Sequence, residues 1–398
     1  MAQNSSPLKK VLYLARWYPN RYDPMPGLFI RRHALSVTKH FDVSTLSVHL
    51  NFAKDAAIFE KDIFTQSGIF EVKIYTRSAN TGLPQLNSLV NVVRFFYAHF
   101  IGLREVKQHN GNPDLLHVNV LTRCGIVAFV YRLFKGVPYV ITEHWTRYLP
   151  GMGNFTGFWR KAITRIVVKH ASAILPVTLN LQLSMEKHGL KNNNYCVISN
   201  VVDTVIFKPE TNSVDRNPKI ILHVSCFDDN QKNISGILRV LEKLALKRQD
   251  WKCIMVGDGI HFEKLVEYAT QLRLKDKFVF FTGLRENNEL VKLMQEASFQ
   301  VLFSRDENLP VVIPESFACG VPFLSTNVGG ISEHLHEYLG MLMPSEDEDA
   351  LFTGIELMLD HPERYKKDLI RKYAVDNFSQ QVIGEQLKNV YLRILDSA

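Results

Sequence analysis

No stretch of the 398 residues is long and apolar enough to cross a membrane, and the opening MAQNSSPLKK lacks the apolar run of a secretory signal. A cytoplasmic chain is the expectation. Cysteine is scarce as well: Cys124, Cys196, Cys226, Cys253 and Cys319 are widely spaced and form no C-x-x-C pair. That argues against both a disulfide framework and a zinc site and leaves buried free thiols. Short-period repeats and low-complexity tracts are missing too. Aromatic residues are not interleaved with basic ones on a recognisable binding module, so no nucleic acid is expected as a partner.

What is present suits an enzyme of two α/β domains, because the chain is too long for one ordinary compact core. The net charge of +7 is unevenly spread: residues 1–205 carry 24 Lys and Arg against 11 Asp and Glu, whereas the remainder is acidic. A basic half facing an anionic surface or acceptor is the physical reading.

Strand-like runs alternate with helical patterns, which predicts mostly parallel sheets covered by helices. The first series is 10–15, 43–48, 72–76, 114–119, 138–142, 172–177 and 195–199; the second is 219–224, 252–257, 278–283, 299–304 and 322–326. The polar stretch 208–219 between them reads as a linker. The domains expected are 1–205 and 206–378, with a terminal helix at about 379–398 crossing back onto the first. Ligands of such folds bind beyond the carboxyl ends of the strands, so the chemistry is sought in loops that follow strands.

The most informative of these is SRDENLPVVIPESFACGVPFLSTNVGG, from Ser304 to Gly330. A strand ends in a polar loop, a helix begins near Pro314, and Cys319-Gly320 stops it. Glu307 and Glu315 stand in an E-x7-E pattern, where carboxylates are able to grip vicinal sugar hydroxyls. The plainer alternative is a solvated acidic loop followed by a helix-dipole glutamate.

This segment resembles the signature of the family 4 retaining glycosyltransferases, which have the GT-B fold: two Rossmann-like domains facing a central cleft. ISNVVDTVIFKP at 198–209, VGDG at 256–259 and NVGGISE at 327–333 resemble further family motifs. The resemblance implies that Glu307 touches the donor sugar and Glu315 the ribose. It also implies that the backbone of Asn308, Leu309 and Val311 approaches the diphosphate, with Pro310, Ser225, Gly257 and Leu284 completing the donor contacts. Retention of configuration and no metal requirement follow from the same likeness, with a UDP- or GDP-sugar as co-substrate. Asp347 and Asp349 in SEDED imitate a metal-binding D-x-D but read as a solvated loop before a helix.

The loop Ser225–Gly236 carries Lys232, placed to neutralise a departing diphosphate; an ordinary exposed lysine is the alternative. Cys226 stands where the family has an arginine, and Arg305, Arg285 or an N-domain arginine are the candidate substitutes.

In the first half, Pro24, Pro26 and Gly27 mark a loop feeding a helix, with Gly27 able to pass close to a ligand. Arg31 beside it suits a phosphate or acceptor contact, or a solvated face. His144 follows the fifth strand and resembles the family's histidine near the donor sugar and acceptor; no ligand partners at metal spacing accompany it, and Glu143 is a secondary candidate. The helical run 158–170 aligns Lys161, Arg165 and Lys169 on one face with Trp159, Ile163, Ile166 and Val167 on another. It fits either an anionic membrane surface or a core-packed helix with a solvated basic side. Transfer of a sugar from a nucleoside diphosphate to a glycan or lipid-linked acceptor hydroxyl is the function expected. A nucleotide-sugar epimerase or hydrolase and a non-catalytic binding subunit are its rivals.

Overall fold

The computed structural model describes residues 7–53, 55–150, 153, 155–210 and 217–397. The first six residues of the opening, and 211–216 of the linker read at 208–219, lie outside the described residues. The chain divides into two compact units: Met1–Val177 with Gln182–Val201 and Ile383–Ala398, and Thr178–Leu181 with Val202–Val382.

The first unit holds β1 (Lys10–Ala15), β2 (Asp42–Asn51), β3 (Phe59–Gln66), β4 (Ile69–Arg77), β5 (Leu115–Asn119), β6 (Tyr139–Glu143) and β7 (Ala173–Pro176). They form one sheet in the order β3-β4-β2-β1-β5-β6-β7. Every pairing is parallel except β3 with β4, a hairpin closed by Ser67 and Gly68 at positive φ, the geometry that a tight two-residue turn requires. Two departures from the sequence reading have simple causes. β3 went unrecognised because it lies at the sheet edge and is largely exposed, so its sequence has little apolar signal. The run 195–199, read as a strand, is not one: Tyr195 makes a single isolated bridge to Ile174, and only a few backbone bonds hold the segment beside β7.

The second unit holds β8 (Lys219–Val224), β9 (Trp251–Val256), β10 (Val279–Gly283), β11 (Phe299–Leu302), β12 (Phe323–Thr326) and β13 (Gly340–Met343). The order is β10-β9-β8-β11-β12-β13, all parallel. The four-residue edge strand β13 was too short to be read from the sequence.

Near-continuous apolar strands explain both sheets, since a strand covered on both faces has no solvated side. Leu12, Leu14, Val118 and Ile141 are fully buried in the first unit, as are Ile221, Leu222, Val301 and Leu324 in the second. The terminal helix Gln380–Asp396 adds Ile383, Leu387, Val390 and Tyr391 to the first unit's core. Its Tyr391 hydroxyl lies 2.8 Å from that of Tyr13 on β1 and 2.5 Å from Nδ1 of His117 on β5, giving the buried polar groups partners.

Candidate active site

In each sheet the strand order reverses about the first strand, β1 or β8, and the loops on either side of such a reversal part to leave a crevice at the carboxyl edge. In the second sheet the reversal lies between β8 and β11, and the two most informative loops of the sequence follow those strands.

After β8, Asp228 caps the short helix Asp229–Lys232 by accepting from Asn230 N, and Asn233 breaks it with φ of 51° before the helix Ile234–Lys247. This break turns Lys232 inward. The lysine is buried, and its Nζ stands 2.5 Å from Oε1 of Glu307, which is also buried. Ser304, two residues past the end of β11, donates to the same oxygen at 2.8 Å. Burial alone would lower the lysine's pKa, but the Glu307 carboxylate more than reverses this and holds it above the ordinary value. The exposed-lysine reading of Lys232 does not hold.

Glu307 is fixed from behind as well. Gly330 N donates to Asn308 O at 2.8 Å, and a β-carbon on Gly329 would meet Glu307 O at 1.8 Å. With φ of 60°, Gly329 is a position that only glycine fills without displacing the Glu307 backbone. Leu309, Pro310 and Val311 lead from Asn308 into the helix Val312–Ala318, whose first turn carries the buried Glu315.

Ser225, Gly257 and Leu284 follow β8, β9 and β10. Gly257 N donates to Gly283 O, and a β-carbon on Gly257 would stand 1.9 Å from Ser225 O, so the three loops lie in contact. Ser225 Oγ bonds Nε2 of His223 at 2.8 Å, and Leu284 is half exposed. Of the substitute cations, Arg305 is engaged with Glu346, Asn233 and the backbone of Asp229, and Arg285 lies by Glu289. Cys226 is exposed. The SEDED carboxylates have structural work: Glu346 binds Arg305, Asp347 caps the helix Glu348–Asp360, and Glu348 pairs with Arg239. Among the described residues no three His, Cys, Asp or Glu side chains gather as a metal site would need.

In the first unit, Gly27 precedes the helix Leu28–Ser36 with φ of 74°, and a β-carbon there would lie 2.2 Å from Trp17 O. This close approach brings Phe29 against His144, with ring centroids 4.5 Å apart. His144 also lies 3.4 Å from Asn119 Oδ1 through Nε2. Burial, and then His33 and His117, hold its pKa well below the ordinary value, so the imidazole is neutral. Glu143 is buried and turned to the backbone: Leu121 N donates to one oxygen, His144 N and Trp145 N to the other. It ties the loop after β5 to the loop after β6. Arg31 pairs with Glu71 at 3.0 Å.

Ser225, Gly257 and Leu284 thus follow the carboxyl ends of strands in the second sheet, as Lys232 and Glu307 do in the loops after β8 and β11. Glu143 and His144 stand at the carboxyl end of β6 in the first, whereas Arg31 is paired with Glu71. Residues 206–374 match the family described as glycosyl transferases group 1, and residues 67–205 match glycosyltransferase family 4. The chain belongs to the group 1 glycosyltransferases. This glycosyltransferase is 25% identical to N-acetyl-alpha-D-glucosaminyl L-malate synthase of Bacillus anthracis over 310 residues, 74% of this chain and 78% of that one. It is 24% identical to a putative teichuronic acid biosynthesis glycosyltransferase of Bacillus subtilis, over 67% of this chain and 66% of the other. Its GT-B fold is that of Thermosynechococcus elongatus sucrose-phosphate synthase, with a TM-score of 0.77 at 16% identity over 98% of this chain and all of the other. Anabaena HepE, solved in complex with UDP and glucose, has a TM-score of 0.71 at 18% identity over 97% of this chain and 99% of that one.

Ser304 and Gly329 lie within segments that the sequence singles out, but neither is given a role of its own there. Both flank the E-x7-E loop, and the signal available was a hydroxyl at a strand end and a second glycine after the next strand.

Proposed function

We propose that this glycosyltransferase moves a sugar from a UDP- or GDP-sugar to an acceptor hydroxyl with retention of configuration and without a metal ion. The buried Lys232–Glu307 pair at the strand-order reversal of the second sheet carries the reading. A buried lysine kept charged by the adjacent carboxylate is a preorganised partner for negative charge that develops on a leaving diphosphate. Glu307 then meets the donor sugar and Glu315 the ribose, each as a hydrogen-bond acceptor. The bond from the anomeric carbon to the diphosphate oxygen breaks through an oxocarbenium-like state, the acceptor oxygen bonds the same face, and the acceptor proton passes to the departing phosphate. His144, neutral, is suited to hydrogen bonding with a sugar hydroxyl rather than to proton exchange near pH 7.

The acceptor belongs to the first unit, whose sequence is the basic half, and is part of a surface polysaccharide or a lipid-linked glycan. Peripheral placement on the anionic inner face of the cell membrane is part of this reading. In the helix Phe158–His170, Val167 and Val168 are buried, while Phe158 and Trp159 are 77% and 75% exposed, and Ile163 and Ile166 are exposed beside basic residues. Such a surface gains from an apolar, anionic interface. Among the described residues no helix is long and apolar enough to cross a membrane.

The reading is tested by transfer from labelled UDP- and GDP-sugars to a glycan acceptor library. Glu307→Ala is expected to abolish product while retaining nucleotide binding; an unchanged rate removes Glu307 from the mechanism.

A further inference from the structure

Four arginines from four separate segments of the first unit converge on one cavity of about 280 Å³. Arg16 follows β1, Arg123 opens the helix Thr122–Lys135 after β5, Arg147 lies in the 3₁₀ segment Thr146–Tyr148 after β6, and Arg160 stands in the first turn of the helix Phe158–His170. The cavity therefore occupies the carboxyl edge of the sheet at β1 and β5, on either side of its strand-order reversal, the place where open α/β sheets hold ligands.

Among the described residues that line this cavity none is acidic. The nearby carboxylate of Glu143 faces three backbone N–H groups. The guanidinium groups lie instead over aromatic rings: the Arg147 Cζ is 3.3 Å from the centre of the Trp145 ring, and Arg16 and Arg123 share Phe95 at the longer cation–π distances of 5.8 and 5.7 Å. Stacking on Trp145 fixes the Arg147 guanidinium while leaving its edge N–H groups available to a ligand. Two polar atoms at the cavity, Arg147 Nε and Thr122 Oγ1, are buried with no hydrogen-bond partner among the described residues. Burial, and then repulsion from Arg16, lowers the pKa of Arg123, and burial lowers that of Arg147 against the attraction of Tyr148 and Glu143. Positive charges gathered at one cavity repel one another, and an anion bound among them relieves that repulsion. Planar forks with several N–H donors match tetrahedral phosphate, and four of them match more than one negative charge.

Arg16 and Arg123 also wall a second cavity of about 660 Å³, lined by Trp17, Tyr22, Asn51 and Phe52. Aromatic faces beside amide groups suit a sugar ring attached to the anion.

We propose that the arginine-lined cavity binds a phosphoryl group of the acceptor, making this glycosyltransferase's acceptor a phosphate- or diphosphate-bearing molecule. The word acceptor rests on the function proposed above; the anion site does not. Arg16, Arg123, Arg147 and Thr122 bind the phosphoryl oxygens, and the neighbouring cavity takes the group it is attached to.

The test titrates the full-length chain with pyrophosphate in a Lys232→Ala background, which removes the lysine expected to hold the donor diphosphate, and compares it with the same chain carrying Arg123→Gln and Arg147→Gln. The two arginine changes, placed in the otherwise wild-type chain, are expected to leave donor-nucleotide affinity unchanged, which also reports that the variant is folded. In the Lys232→Ala background they are expected to weaken pyrophosphate at least tenfold, with partial recovery in Arg147→Lys. Equal pyrophosphate affinity in the paired chains overturns the proposal. Geranyl diphosphate and glucose 1-phosphate then compete against pyrophosphate: tighter binding of the first assigns a lipid diphosphate, and of the second a soluble sugar phosphate. Failure of both to compete overturns the acceptor assignment. Arginine-dependent pyrophosphate binding in a chain that binds no nucleotide sugar leaves the anion site standing and removes the proposed transfer.

Discussion

The ammonium of Lys232 stands 2.5 Å from Oε1 of Glu307, and the two residues, 75 positions apart in sequence, come from loops on opposite sides of the reversal in the second sheet. The pair is both a structural tie and the source of the charge that the proposed reaction needs. These two roles separate experimentally.

Removing one partner leaves a buried charge uncompensated, which costs about 3–5 kcal/mol, whereas removing both leaves none. Lys232→Met is expected to destabilise the chain more than Lys232→Met combined with Glu307→Gln. Urea denaturation followed by circular dichroism measures the difference, and additive losses would rule out direct coupling.

Gly329 holds the other side of Glu307. In Gly329→Ala the new methyl meets Glu307 O, so the loop that carries the carboxylate must move. A loss of about 2 kcal/mol or more and at least a hundredfold fall in transfer are expected, since about 1 Å of misplacement is enough for the latter. A variant with normal kcat would contradict this support role.

Buried histidines that stay neutral make stability fall in acid. Burial lowers the pKa of His33, His99 and His223 from 6.5 to about 4 in each case. Between these values the unfolded chain binds protons that the folded chain does not. Stability is therefore fully present above pH 6.5 and is lost as pH falls toward 4, by up to about 1.4 kcal/mol per group per pH unit. Thermal denaturation from pH 7.5 to 5 is expected to show a falling Tm; a flat profile would contradict the assignment of neutral buried imidazoles.

Cys226 is exposed in the loop where the family resemblance places an arginine. A guanidinium there adds a charge-assisted bond to a diphosphate, worth about tenfold in affinity. Cys226→Arg is expected to tighten donor binding by that factor in calorimetry, and weaker binding would show that this loop follows a different path from the family's.

The parallel parts of the two sheets were legible because strands covered on both faces are largely apolar along their length. β3 and β13 were not, since edge strands are short or solvated. Segment 195–199 carried the composition of a strand but lies beyond the edge strand β7, where it makes a single bridge. Glu307 and Glu315 were legible from their spacing, as one loop and one helix turn contain both. The burial of Lys232 was not, because it depends on Asn233 turning the chain and on a partner in another loop. The arginine cavity left even less trace. Its members are spread from Arg16 to Arg160, and each follows a different strand end or opens a helix, positions that only the sheet order brings together.

Binding of a sugar nucleotide at the second sheet is tested most directly by calorimetric titration of the full chain and of Lys232→Ala with a panel of UDP- and GDP-sugars. One donor is expected to saturate the wild-type chain and to bind Lys232→Ala at least tenfold more weakly. Saturation of both proteins with equal affinity, or no binding of any sugar nucleotide to the wild type, would contradict the account.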